Sequence, residues 1–235
     1  MKKPAGMKKP VVSGVSRTVT HDLETRDRLL KAAEHLFAER GFKNVTVRDI
    51  CRAARANVAA VNYHFGDKLG LYRAVLRADM DAVRQASESA REAGRGQPPD
   101  EQLRRYMIIW IRRLLTPGRE TVHRLIQHEM SDPTPLLDEM VEQVVRPRLE
   151  YLSGVVAKML GCDPADPIVM RCVASTQAQL VSYLPNSVAA RLGFAFRPTP
   201  AQIDEVARHI ADFSVAGIRA IAVQRAQADR PAQRH

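Results

Sequence analysis

Apolar residues recur at three- and four-residue spacing along most of this chain, and strict alternation appears nowhere. That is the α-helical period, so the pattern predicts helices and no strands. Residues 1–20 lack it and read as a flexible arm. From Glu24 a stripe of Leu29, Ala32, Ala33, Leu36 and Phe37 predicts a helix that stops at Gly41, where positive φ is cheap. Thr46 caps a short second helix with Asp49 in its first turn and Val47, Ile50 and Cys51 on its inner face. Asn57 caps a third, on which Val58, Val61 and Phe65 share a packing face, and Asp67 opens a long fourth that runs to about Ala93.

The Gly-Pro stretch 94–100 marks a boundary, with Asp100 placed to cap the next helix. Beyond it Leu103, Met107, Trp110, Ile111, Leu114 and Leu115 form one stripe, and Val122, Leu125, Ile126 and Met130 another. A helix over Leu136–Leu160 contains Pro147 and should kink or divide there. Asp166-Pro167 starts a helix reaching about Leu184, and 185–198 reads as a loop. The Thr199-Pro200-Ala201-Gln202 capping box opens a last helix to about Gln224. The predicted class is all-α with about nine helices. Its divisions are a basic arm over 1–20, a three-helix head over 21–68, a connecting helix over 69–94, a helical regulatory and dimerisation domain over 95–227, and a loose tail over 228–235. Met7 is a possible alternative start.

Composition narrows the function classes. At 235 residues and 45% apolar content the chain can bury a core, and no run is long enough to span a membrane. Cys51, Cys162 and Cys172 are too few and scattered for a disulfide framework, which fits a reducing cytoplasm. The formal charge is +10, of which residues 1–94 hold +7 and residues 95–235 hold +3. That asymmetry points to an anionic partner for the head, although five of the seven charges lie in the arm.

The third helix carries the chemistry. With one face packed inward, Asn57, Ala59, Ala60, Asn62, Tyr63 and His64 are left for a partner. Small alanines allow close approach to a groove floor, and an amide can read a base edge. Tyr63, His64 and Lys68 offer hydroxyl, imidazole and ammonium groups to phosphates.

The segment TVRDICRAARANVAAVNYHFGDKLGLYRAVL resembles the DNA-binding region of the TetR/AcrR family of transcriptional regulators. The likeness runs from about Glu24 to Leu76. It implies backbone or groove-edge contacts by Thr46 and Arg48. It further implies Asn57, Ala59, Ala60 and Asn62 in the major groove, with Tyr63, His64 and Lys68 clamping phosphates. Two positions depart from the pattern: the turn glycine is Arg55, and Cys51 replaces a small residue. Arg55 should therefore carry positive-φ strain, with or without an added phosphate contact. The stretch HRLIQHEMSDPTPLLDEMVEQVVRPRLEYLSGVVAKMLG resembles the CerR-type branch, with its E-x-x-x-P-T and I/V-x-P-R-x-x-x-L runs. That branch implies an all-helical domain that dimerises and senses a small molecule.

Candidate pocket residues are Met107, Trp110, Ile111, Leu114, His123, Gln127, Met130, Met170, Gln177 and Tyr183. Any one of these is more simply read as core. His123 and His128 lie roughly 140° apart around a helix, which disfavours a shared metal, so neither metal nor cofactor is expected. No phosphate loop, nucleophile elbow or zincin motif is present, so an enzyme is not expected. The expected function is a cytoplasmic, homodimeric, ligand-responsive repressor on a pseudo-palindromic operator of double-stranded DNA. It would use one recognition helix per half-site and have no membrane partner. Its dimer would form through the last two long helices. The alternatives are a constitutive DNA-binding dimer without an effector, and a scaffold whose head has lost DNA binding.

Overall fold

The computed structural model describes residues 15–184, 191–192 and 198–228, with side chains in the first helix placed from Asp22 onward. The helices are α1 (Val15–Arg40), α2 (Val47–Ala54), α3 (Val58–Phe65), α4 (Lys68–Gly94), α5 (Pro99–Leu115), α6 (Glu120–Ser131), α7 (Leu136–Met140), α8 (Arg146–Leu160), α9 (Pro167–Ser182) and α10 (Pro200–Ala228). A π-helical turn, Val141–Val145, joins α7 to α8 without a break. With 136–160 counted as one helical path, the elements given above make nine helices, and no strand occurs, among the described residues.

α1 begins nine residues earlier than the stripe at Glu24 suggested, so 15–20 are helical and not part of an arm. Residues 1–14, most of the 185–198 loop and the tail from 229 lie outside the described residues. The chain divides into two compact units at Leu76/Arg77, within the unbroken helix α4.

The N-terminal unit is built on Leu29, Ala33, Leu36 and Phe37 of α1, Ile50, Cys51 and Ala54 of α2, Val61 of α3, and Leu71, Tyr72 and Leu76 of α4. Phe37 meets Tyr72 edge-on at 4.9 Å between centroids, and Phe42 lies 5.1 Å from Tyr72. A Cβ on Gly70 would fall 2.0 Å from the Phe65 carbonyl oxygen, so only glycine lets α4 close against the end of α3. Asp67 Oδ1 accepts the Gly70 N–H at 2.7 Å and fixes that turn.

In the second unit α5 and α10 run antiparallel, as their ion pairs show: Asp100 with Arg219, Arg104 with Asp212, and Arg112 with Asp204. Asp100 is thus a pairing residue and not a cap. The cap position is Pro98, and helical φ at Pro99 starts α5. Leu103, Met107 and Ile111 of α5 pack in one core with Leu152 and Val156 of α8, Val169 and Val173 of α9, and Ile203, Ile210 and Ile218 of α10.

Both C-terminal motifs have physical roles. Glu129 is buried and accepts the N–H and hydroxyl of Thr134, each at 2.8 Å, closing the turn between α6 and α7. Pro147 has no N–H to donate and crowds the preceding turn, and the helix answers by widening just ahead of it: the Arg146 N–H reaches Val141 O, five residues back.

Candidate nucleic-acid interface and regulatory-domain cluster

α2 is fixed at its start by a reciprocal capping box. Asp49 N–H donates to Thr46 Oγ1 at 3.2 Å, and Thr46 N–H donates to Asp49 Oδ2 at 3.1 Å. The Thr46 hydroxyl also donates to Asp49 Oδ2 at 2.6 Å, and these bonds hold the Asp49 carboxyl below the usual carboxylate range. Arg48, in the same first turn, is exposed. The turn to α3 passes through Arg55 at φ 50° and ψ 48°, the positive-φ non-glycine residue that the sequence led us to expect. The N–H of Ala56 closes this turn onto Cys51 O at 2.9 Å. Burial pushes the Cys51 thiol up, which keeps it an inert core group.

Asn57 caps α3 by accepting the Ala59 N–H at 3.0 Å, and the residue is exposed. Val61 anchors the helix in the core. Ala59 and Asn62 are exposed, Ala60 is half-buried and Tyr63 is 76% exposed. Three placements differ from expectation. Val58 is 40% exposed, and Val61 is the buried residue of α3. His64 is turned inward: its side chain is only 7% exposed and its Nε2 lies 3.3 Å from Asp22 Oδ1 of α1. Lys68 is half-buried: its ammonium stands 4.2 Å over the Phe42 ring, and burial lowers its pKa. Asp22 and Arg26 of α1, the latter over Phe65 at 5.4 Å, were missed by sequence reasoning because nothing marks an α1 residue as a neighbour of α3.

A short, doubly capped pair of helices with an exposed Asn-Tyr surface on the second is a helix-turn-helix, and residues 29–75 match the model of the bacterial regulatory proteins of the tetR family. Residues 99–218 match the C-terminal domain of the HTH-type transcriptional dual regulator CecR. The chain belongs to the TetR family of transcriptional regulators. The stretch 123–161, expected from its likeness to be CerR-type, lies inside this CecR match. TetR-family regulators are DNA-binding proteins and not enzymes. Among relatives, the CecR dual regulator of Shigella flexneri is 32% identical over 72% of this chain and 77% of its own. A probable acrEF/envCD operon repressor of Escherichia coli K12 is 26% identical over 82% of this chain and 89% of its own. The fold is also that of the TetR-family regulator PfmR from Thermus thermophilus, with TM-score 0.57, 22% identity, and 81% of this chain and 95% of that one covered.

In the second unit of this TetR-family chain, Met107, Trp110, Ile111, Leu114 and Tyr183 of the ten candidate pocket residues belong to one core cluster. Met107, Trp110 and Ile111 are buried on α5, and Leu114, His123, Gln177 and Tyr183 are half-buried. Gln127 is exposed, as are Met130 at 74% and Met170 at 54%. The inward residues of α6 are Leu125 and Glu129, one helical turn apart, which rotates 127 and 130 outward. Also brought together is a cluster largely unflagged by sequence reasoning. The Arg148 guanidinium lies 4.8 Å over the ring of Trp110, Tyr106 lies beside Trp110 and Tyr151, and Arg91 of α4 covers Tyr151 at 5.3 Å. Arg148 is the arginine of the P-R run, which is the signal that was available. Among the described residues no three His, Cys, Asp or Glu are grouped to hold a metal, and no helix is long and apolar enough to cross a membrane.

Proposed function

We propose that the chain is a cytoplasmic repressor that binds a pseudo-palindromic operator as a homodimer and leaves it when a small molecule binds the second unit. The observation that carries this is the outward face of α3. Asn57, Ala59, Asn62 and Tyr63 are exposed on a helix capped at its start and anchored by Val61. In this reading Asn57, Ala59, Ala60 and Asn62 face base edges, while Thr46, Arg48, Tyr63 and Lys68 hold the backbone. His64 positions α3 from inside instead of touching phosphate.

The homodimer is supported by α9 and α10. Gln179 donates to Ser214 Oγ at 3.1 Å and Arg225 pairs with Asp166 at 2.8 Å, tying the C-terminal end of α10 back to the start of α9. α10 leaves Phe213 63% exposed, followed by exposed Ala216, Gly217, Ala220 and Val223. A small-residue stripe with one protruding ring suits close packing against a second copy. The test is titration of the DNA upstream of this chain's own gene, by fluorescence anisotropy with the full chain. Saturable binding that Tyr63→Ala abolishes and Phe213→Glu converts to weak monomer binding is expected. Binding unchanged by both substitutions would reject the reading.

A further inference from the structure

Four buried side-chain polar atoms in the α5–α8 cluster have no hydrogen-bond partner: Tyr106 Oη, Trp110 Nε1, Arg148 Nε and Tyr151 Oη. Buried polar groups are nearly always paired, so four orphans in one contiguous cluster are far from the norm. Tyr106 is 1% exposed, and its ring lies 6.0 Å from Trp110 and 5.6 Å from Tyr151. Arg148 forms no ion pair among the described residues and rests on the face of Trp110 alone. Its Nε–H is sealed from water without an acceptor, which costs the hydration of that group.

The orphans share one chemistry. An indole N–H and a guanidinium N–H are donors only, and the two phenols can both donate. Burial pushes both phenols up, Tyr106 most strongly, so they stay protonated and keep that donor. The surroundings are apolar and planar, supplied by Leu103, Met107 and Leu152 with the rings themselves. The partner that completes four donors beside the Arg148 and Arg91 guanidiniums, in an aromatic setting, is an anion with acceptor oxygens on a flat apolar body. Gly94 keeps the Tyr151 hydroxyl unobstructed, since a Cβ there would stand 3.2 Å from it. Arg148 breaks no ion pair in turning toward such an anion, and the π turn just before α8 gives that helix a place to adjust.

We propose that the effector of this regulator is an aromatic carboxylate, bound between α5 and α8 with its carboxylate on Arg148, Tyr106, Tyr151 and the Trp110 indole. This rests on the reading of the chain as ligand-responsive, and it names the chemical class of the ligand.

Trp110 is the single tryptophan of the chain, so intrinsic fluorescence reports this cluster directly. The full-length protein is titrated with benzoate, 3-phenylpropionate and the neutral 3-phenylpropionamide, following Trp110 emission. At least one acid is expected to bind, and its amide to bind about tenfold to a hundredfold more weakly. Arg148→Met should lose the same factor, while the neighbouring surface change Arg146→Met should lose nothing. Tyr106→Phe and Tyr151→Phe should each weaken the acid several-fold while Tm of the unliganded protein holds or rises, because each removes an unpaired hydroxyl. The proposal is overturned if no acid binds at millimolar concentration, if amide and acid bind alike, or if Tyr106→Phe lowers the unliganded Tm. DNA release is measured separately. Acid binding that releases no DNA sinks the effector role and leaves the anion site standing. Release by neutral compounds that is indifferent to Arg148→Met supports ligand response and overturns the carboxylate assignment.

Discussion

His64 Nε2 lies 3.3 Å from Asp22 Oδ1, so the histidine of the recognition helix is tied to α1. Tyr63 packs edge-on to the same imidazole, with ring centroids 4.9 Å apart. The pair therefore sets the angle at which Tyr63 leaves the helix. Asp22→Asn should weaken DNA binding about two- to fivefold for all sequences alike, the scale of a half-exposed polar contact. His64→Gln should leave the dependence of log K on log salt unchanged, because no phosphate contact is lost. A slope smaller by about one in that variant would place His64 on the backbone instead.

Arg55 stands at φ 50°, a conformation that costs a side chain roughly 1 kcal/mol or more. Arg55→Gly removes that strain but adds freedom to the unfolded chain, so the net gain should be about 0.5–1 kcal/mol in urea unfolding. Arg55→Ala keeps the strain and deletes the charge. If Arg55 also meets phosphate, both variants lose DNA affinity equally. If it does not, both retain it, and only the glycine is more stable.

Asn62 and Lys68 should fail in different ways. Asn62→Ala is expected to cost about 1–3 kcal/mol against the preferred operator and little against other DNA, measured by competition binding. Lys68→Met keeps an apolar stem over Phe42 and should weaken every sequence, lowering the salt slope by about one. Equal loss on all DNA for Asn62→Ala would remove it from the base-reading set.

The local signals that read correctly were those written within one helical turn: the Thr46 box, the Asn57 cap, the Asp166-Pro167 start and the strained turn at Arg55. Each depends on a few adjacent residues, so spacing alone reveals it. The inward turn of His64 was not legible, because its partner sits 42 positions away on a helix that begins before its apolar stripe does. The Arg148 cluster was hidden for the same reason: Arg91, Tyr106 and Arg148 come from three helices. Periodicity told which residues of α5 face inward, and tertiary packing decided which of them meet a cation.

His123 is half-buried on α6, and burial together with nearby Arg119 holds its imidazole below the ordinary value. The folded state thus keeps His123 neutral where the unfolded chain takes up a proton. Below an ordinary imidazole value of about 6.5 the unfolded state binds more protons, so stability falls as pH drops toward the depressed folded value. His123→Gln cannot take up that proton and should flatten the loss between about pH 7 and pH 5.5. Urea unfolding across that range decides it; identical slopes for both proteins would mean that His123 is not the group responsible.

Asp79 Oδ1 receives both the Arg113 guanidinium, at 2.8 Å, and that of Arg119, joining α4 to the end of α5 and the start of α6. All three side chains are largely shielded, and burial alone already disfavours the charge on Arg113. One carboxylate oxygen between two cations is the arrangement in which loss of the anion is worst, since two guanidiniums are left facing each other. Asp79→Asn should cost about 2–3 kcal/mol, somewhat under the figure for a fully buried pair because some exposure remains. Asp79 is also the principal group raising the His123 proton affinity, so the same change should push that imidazole further down. The double variant Asp79→Asn with Arg119→Met removes one of the two repelling charges and should recover part of the stability. Recovery in the double-mutant cycle, read from urea midpoints at constant slope, is the expected result. Strict additivity of the two losses would show that Arg119 is not held by Asp79 in solution.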